Sequence, residues 1–456
     1  MPFERVNPTT GAVIGTGEYN STEDADKALA ALDQTFKAWR NLSYLQRQAT
    51  IMKLATALES KKDFFAKLMT QEIGKPLKEA QLEVKKCYEA IKALCEKDLA
   101  ALESKTIHTT YKSSEIIYEP LGVIYSIMPW NYPLWQVTRM VIPALLTGNT
   151  ILLKHAEICA QTGFEFAKLF KDIYPEPLLM HLLLPHEMTE VVLSNPRVQG
   201  VSLTGSTNAG VSVAKAAAGA LKKYVLELGG SDPYLVLADA DLDLAAKIIS
   251  QSRLMNAGQS CISAKRCLFH ESLRQPLIEK FKTQFDDHVI GLPLELKTDV
   301  GPLAHPRFKT ALKKQIAELK KNTSAECVYQ KPHGHPAESA FVDLEIYLLK
   351  ENSEWLKDQE FFAPVLLMIP FKTEAEAIAI ANSTVFGLGG GVFSKDLARA
   401  KNVAKQMIAG QVAINDFIRS DFSLPFGGFK KSGVGRELGE AGFFEFVQTK
   451  VISSSK

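Results

Sequence analysis

Three side chains in this sequence could act together on an electrophilic carbon: a thiol, an amide and a carboxylate. Cys261 lies in "MNAGQSCISAKR" (255–266), where an Asn-Ala-Gly break runs into a cysteine and then a basic pair ahead of a strand-like stretch. It belongs to no periodic apolar stripe of the kind a packing cysteine shows. A thiol with its usual pKa of about 8.5 is mostly protonated at neutral pH, so a nucleophilic role needs surroundings that favour the anion. A turn of backbone amides before a strand would supply them. Asn131 lies in "MPWNYP" (128–133), where a strand ends between two prolines and leaves Trp130 and Asn131 at the carboxyl edge of a sheet, the usual place for ligands. Its amide could donate to a developing oxyanion. Glu227, in "VLELGGSDP" (225–233), follows apolar strand residues and precedes a double glycine, and a carboxylate there could act as general base on water. Taken singly, each also fits an ordinary role: a satisfied structural thiol, a turn-capping asparagine, a solvated or ion-paired glutamate.

The elements that must position these groups are readable from periodicity. Residues 22–39, behind Ser21, place Ala25, Ala28, Leu29, Leu32, Phe36 and Trp39 on one helical face. Residues 76–99 repeat the pattern with Leu77, Ala80, Val84, Cys87, Ile91, Leu94 and Cys95, so these two cysteines read as packing residues. From residue 123 short apolar runs ("VIYSIMP", "TILLK", "LMHLLLP", "GVSLTG", "YVLEL") alternate with segments long enough for crossover helices. This predicts a Rossmann-like parallel sheet wrapped by helices over about 123–230. A second alternating stretch from "PYLVLADADLDLAAKII" through "KRCLFH" to "FGLGGGVFS" and "GQVAIN" predicts a second α/β domain. Residues 105–122 and 443–456 read as edge strands outside both sheets, an arm suited to pairing with another subunit.

Composition bounds the function. The 456 residues suffice for two or three domains with sizeable cores. The net charge of +2 arises from 53 basic and 51 acidic residues that are well mixed, which gives no electrostatic footprint for nucleic acid or a membrane surface. Six cysteines form no C-x-x-C pair and no cluster at metal-ligand spacing, so neither a disulfide framework nor a metal site is expected. The amino-terminal "MPFERVNPTTGAVIGTG" has charge and prolines where a signal peptide needs an apolar core, and no apolar run approaches ~20 residues. A soluble, cytoplasmic protein acting on a small molecule is the expectation.

The order and spacing of "MPWNYP", "ILLKHAE", "LTGSTNAG", "LELGGSDP", "NAGQSC", "EFFAP" and "PFGGFKKSGVGRELG" resemble the NAD(P)-dependent aldehyde dehydrogenase superfamily over essentially the whole chain. The resemblance implies an α/β fold in three parts: a cofactor domain (1–104 and 123–230), a catalytic domain (231–423) and a small β oligomerisation arm (105–122 and 424–456). It makes Cys261 the catalytic thiol, Asn131 the oxyanion donor and Glu227 the base that hydrolyses a Cys261 thioester. That base argues against the CoA-acylating branch. No G-x-G-x-x-G follows any strand; the family's own cofactor pattern is present instead. It assigns Trp130, Lys154, Glu157, Gly205, Ser206, Glu360 and Phe362 to the dinucleotide, with His155 where a proline is more usual and Ala363 where glycine is. Gly205 and Ser206 open a helix whose exposed amides and dipole suit a phosphate. Glu157 should repel a 2′-phosphate, so NAD is expected ahead of NADP.

Within the family, "YPLWQVTR", "LLKHA" and "KKYVLELGGSDP" are similar to the shorter bacterial succinate-semialdehyde dehydrogenases. That likeness implies oxidation of succinate semialdehyde or a similar short ω-carboxy aldehyde. Arg139, eight residues after Asn131, Gln136 beside it, and Arg419 and Ser420 of "NDFIRSDFS" are the expected substrate ligands. Many longer relatives carry an arginine where this chain has Met255, with Arg253 displaced by two residues. Ser263 stands where some relatives have a second cysteine. A broader aliphatic aldehyde dehydrogenase is the alternative, and a non-redox thiol esterase the alternative of another class. A homodimer or homotetramer is the expected assembly.

Overall fold

The computed structural model describes residues 2–455. The helix Thr22–Trp39 begins at Ser21, whose hydroxyl accepts from the Asp24 amide while the Asp24 carboxylate accepts from the Ser21 amide, so two otherwise orphaned donors are satisfied. All six residues assigned to its apolar face are buried. Trp39, at its end, donates its indole N–H to Leu145 O at 2.9 Å. The helix Leu77–Glu96 buries Ala80, Val84, Cys87, Ile91, Leu94 and Cys95, as the periodicity predicts.

These helices pack on opposite sides of a six-stranded sheet. In spatial order its strands are Gly433–Val434, Lys223–Glu227, Val198–Thr204, Val123–Met128, Thr150–His155 and Leu179–His181. All neighbours are parallel except the first pair. Alternate side chains of Val123–Met128 go to opposite faces, as the strand period of two requires. Val123 and Tyr125 meet Ala25, Ala28, Leu29 and Leu32, whereas Ile124 and Met128 join the core built on Leu77–Glu96 and Trp135–Leu146. Burial on both faces explains why these strands read as unbroken apolar runs.

The second sheet has seven strands in the order Glu326–Lys331, Leu344–Leu348, Val365–Phe371, Arg266–His270, Pro233–Val236, Gly389–Phe393 and Gln411–Ile414, with only the first pair antiparallel. Its first three strands are not among those anticipated; two of them carry polar residues at alternate positions and lack the long apolar runs of the others. Ser113–Pro120 pairs with Val447–Ser454 on one side and Lys105–Thr106 on the other, forming a separate antiparallel sheet. Among the described residues of 424–456, only Val447–Ser454 pairs in this arm: Gly433–Val434 extends the first sheet, and Phe443 and Phe446 enter its core. Among the described residues, no helix is long and apolar enough to cross a membrane.

Candidate active site

Four adjacent strands of the first sheet end at one edge, and their register brings the loops beyond them together. Ile127 lies opposite both Lys154 and Leu203, and Thr204 lies opposite Glu227. Asn131, Lys154, Gly205 and Glu227 therefore leave the same carboxyl edge, where parallel strands leave room for ligands. A cavity of about 380 Å³ opens there, and its wall includes Cys261, Asn131 and Gln136. Trp130, Gly205, Ser206, Glu360 and Phe362 line the same space. Lys154 and Glu227 do not belong to that wall; both are buried behind it.

Cys261 is partly exposed to this cavity. Burial pushes its thiol up to about 12, against the pull of Arg139 and Lys265. The turn thus holds the thiol protonated instead of favouring the anion, because desolvation outweighs the nearby positive charge. The basic pair Lys265 and Arg266 after Cys261 is internal. Lys265 Nζ donates to Cys261 O at 2.6 Å and Ser260 O at 2.9 Å, and sits 3.2 Å from the Glu360 carboxylate. Arg266 donates to Ser231, Ile380 and Ala381 carbonyls. Gly230 is needed beside Cys261, since a Cβ there would lie 2.8 Å from Cys261 O.

Asn131 is fixed by a network that sequence reasoning did not anticipate. Asn131 Nδ2 donates to Gln259 O at 3.1 Å, and Asn256 Nδ2 donates to Asn131 O at 2.8 Å and Gln259 O at 3.3 Å. Gln259 in turn donates to Asn256 O and accepts from Ala304 N. Asn256, Ala257 and Gly258 all have left-handed backbone (φ 52°, 52° and 73°), which Asn and Gly tolerate best. The Asn-Ala-Gly break was the available signal. Arg253 is fully buried beneath this turn and donates to Gly258 O. His155, where a proline is more usual, bonds Pro133 O through Nε2 at 2.8 Å and accepts from Ala156 N through Nδ1. Burial drives its pKa down to about 4, so a neutral imidazole ties the strand end to the loop that carries Asn131.

Glu227 is 2% exposed, and neither carboxylate oxygen has a hydrogen-bond partner among the described residues. Burial first, and Glu437 further, raise its pKa well above the usual carboxylate range; Arg139 opposes the shift. A buried, partnerless carboxyl held near a cation is suited to taking a proton from water.

The remaining cavity walls suit a dinucleotide. Trp130 stacks on Phe308 at 4.7 Å and meets Phe362 edge-on at 5.8 Å, an aromatic cluster of which Phe308 was not foreseen. Glu360 accepts from Gly230 N at 3.1 Å. Ser206 caps the helix Thr207–Gly219, whose first-turn amides face outward as a ready anion site. Lys154 is buried, and burial lowers its pKa against the pull of Glu157, which itself bonds the Tyr19 hydroxyl.

Residues 1–452 match the model of the aldehyde dehydrogenase family. The chain belongs to the aldehyde dehydrogenase family. It is 38% identical to a succinate-semialdehyde dehydrogenase [NADP(+)] of Deinococcus radiodurans over 99% of this chain and 94% of that one. It is 37% identical to a probable succinate-semialdehyde dehydrogenase [NADP(+)] of Synechocystis sp., over 99% of each. A crystal structure of succinic semialdehyde dehydrogenase from Streptococcus pyogenes, in complex with NADP+, superposes with a TM-score of 0.94, at 33% identity and 99% coverage of both chains.

Of the four residues of this aldehyde dehydrogenase expected to hold the substrate, Gln136 lines the cavity of Cys261, and Arg139, Arg419 and Ser420 are not in its wall. Arg139 is 2% exposed: its Nε pairs with Glu437, its Nη2 donates to Thr204 Oγ1 at 3.2 Å, and it lies 4.7 Å over the Phe426 ring. Its charge is already met by a carboxylate of the protein. Arg419 points outward in a bidentate pair with Asp416 at 2.7 and 3.0 Å. Ser420 is buried and accepts at 2.8 Å from both Lys86 Nζ and Trp135 Nε1. Gln136 is buried with its Oε1 unpartnered and lines the cavity beside Asn131 and Cys261.

Proposed function

We propose that this enzyme oxidises succinate semialdehyde to succinate. The observation that carries this reading is the convergence of Cys261 and Asn131 on one cavity, in a chain similar over its length to enzymes named for that substrate. Cys261 Sγ, after giving its proton to water, attacks the aldehyde carbon, and the oxyanion accepts from Asn131 Nδ2 and the Cys261 backbone N–H, each good donor contributing roughly 3–4 kcal/mol. When bound, the dinucleotide supplies the two-electron acceptor. The aldehyde carbon is left as a thioester on Sγ. Water then attacks it, Glu227 takes the water's proton, and Sγ leaves as the carboxylic acid forms. The raised pKa of Glu227 keeps its proton until the pH is high enough for this role.

Residues Trp130, Lys154, Glu157, Gly205, Ser206, Glu360 and Phe362 hold the dinucleotide in this reading. NAD is preferred to NADP, in contrast to the names of the relatives above, because Glu157 presents a carboxylate beside Lys154. The arm forms a subunit interface in a homodimer or homotetramer: Val447–Ser454 is an edge strand with Val451 and Ile452 more than half exposed, an edge that unpaired would invite aggregation. Segments 1–104 with 123–230 and segment 231–423 act as cofactor and catalytic domains. The test is formation of NADH and NADPH with succinate semialdehyde and with butanal, for the native protein and Cys261→Ala. Preference for the carboxylated aldehyde, abolished in the variant, is expected; equal efficiency on both overturns the substrate assignment. Light scattering at micromolar concentration tests the assembly, and a monomer overturns it.

A further inference from the structure

Lys265 is 1% exposed, and its three N–H bonds all find acceptors within the protein. Two go to the carbonyls on either side of the Cys261 Cα, Ser260 O at 2.9 Å and Cys261 O at 2.6 Å. The third faces the Glu360 carboxylate at 3.2 Å, the counter-charge that lets an ammonium stay buried here. Ser260 O is the oxygen of the peptide unit whose N–H is that of Cys261. It also accepts from Ser263 N at 3.3 Å, so both of its lone pairs are engaged. The opposite end of the same unit is left open: among the described residues, the Cys261 N–H meets no acceptor. Asn131 is held by other bonds, through Asn256 and Gln259 O.

Hydrogen bonds in series polarise one another, and an amide whose oxygen binds a cation becomes a stronger donor through its N–H. A peptide unit with its oxygen saturated by an ammonium and its N–H open is suited to an acceptor that gains negative charge. We propose that Lys265 is a positioning residue of the oxyanion site: its ammonium orients and polarises the Ser260–Cys261 peptide, so that the Cys261 N–H donates more strongly to the oxyanion of the bound aldehyde. This rests on the reading of Cys261 given above. Lys265 acts through the backbone, and its bond to Cys261 O fixes the second plane of the turn, so the N–H cannot swing away as charge develops.

Two reagents separate this role from an effect on the thiol itself, and neither needs a dinucleotide. Iodoacetamide alkylates Sγ at a saturated carbon, with loss of iodide and no oxyanion. The ester p-nitrophenyl acetate acylates Sγ through a tetrahedral oxyanion and releases p-nitrophenolate. The ratio of the two rates, each corrected for reaction in Cys261→Ala, cancels the thiolate fraction, which Lys265 also influences. One oxyanion donor is worth about 10²–10³ in rate, so losing roughly 30% of its strength predicts about a four- to eightfold fall in the acylation-to-alkylation ratio of K265M. A ratio within about twofold of native, with both rates lowered alike or neither changed, overturns the role of Lys265 while that of Cys261 stands. A native protein that reacts with both reagents no faster than C261A overturns the reading of Cys261 itself. Since Asn131 and the Cys261 N–H are separate donors, the losses in ratio of N131A and K265M should multiply in the double variant, and a double variant no worse than N131A also overturns the proposal. Should K265M fail to fold, K265Q, which removes the charge and keeps a neutral donor, is judged by the same ratio and the same limits.

Discussion

Replacing Glu157 by Gln changes one charge at the cofactor edge and little else. Glu157 lies two residues beyond the strand Thr150–His155, is half-buried, and bonds the Tyr19 hydroxyl, a bond that the glutamine carbonyl can keep. Each unit of charge on a phosphate brought within ~5 Å of a carboxylate costs about 3 kcal/mol at the effective dielectric of a protein surface and under about 1 kcal/mol in bulk water. A half-buried group lies between these limits, and the ammonium of Lys154 returns part of the cost. The net discrimination against a 2′-phosphate is then about 2 kcal/mol, so the Gln variant should gain roughly thirtyfold in kcat/KM for NADP with NAD nearly unchanged. Because the repulsion is between partly exposed charges, the native NAD preference should also shrink as ionic strength rises, and the variant's should not. Reduced-dinucleotide absorbance at saturating succinate semialdehyde measures both. A native enzyme that already favours NADP, or a variant whose NADP efficiency moves by less than about twofold, refutes the reasoning.

Glu227→Gln should release about one equivalent of reduced dinucleotide per active site and then stall, with acyl-enzyme visible by intact mass. Since burial raises the Glu227 pKa and only the carboxylate can accept the proton, native deacylation should climb with pH through that raised pKa, and stopped-flow profiles of the variant should lack this limb. Asn256→Ala removes the bonds that hold Asn131 and leaves a left-handed backbone without its asparagine; kcat should fall about ten- to a hundredfold, with the Cys261 alkylation rate changing far less. Asp232 is fully buried, with Oδ2 unpartnered among the described residues and its pKa raised by burial to about 7. The folded state therefore holds this proton where the unfolded state releases it. Its contribution is full below the unfolded value of about 3.9 and is lost as pH rises toward 7, up to roughly 4 kcal/mol. Thermal melts of Asp232→Asn, which keeps the oxygen bonded to Gly389 N, should show a flatter pH dependence over that window.

The sequence by itself determined the helices and parallel strands whose burial is periodic or continuous, because apolar spacing is a local property. Thr22–Trp39, Leu77–Glu96 and the strands from Val123 to Glu227 all lie where their pattern places them. Cys261, Asn131 and Glu227 each stand at a break between an apolar run and a turn, and the first two line one cavity. Only the tertiary structure decided which charge meets which. Arg139 and Arg419 are equally cationic on paper, but Glu437, almost three hundred residues further along the chain, closes on one and Asp416 on the other. Lys86 reads as one more basic residue of an amphipathic helix until Trp135 and Ser420 fold over it. Pairing and desolvation of charged groups depend on neighbours distant in sequence, and no local pattern encodes them.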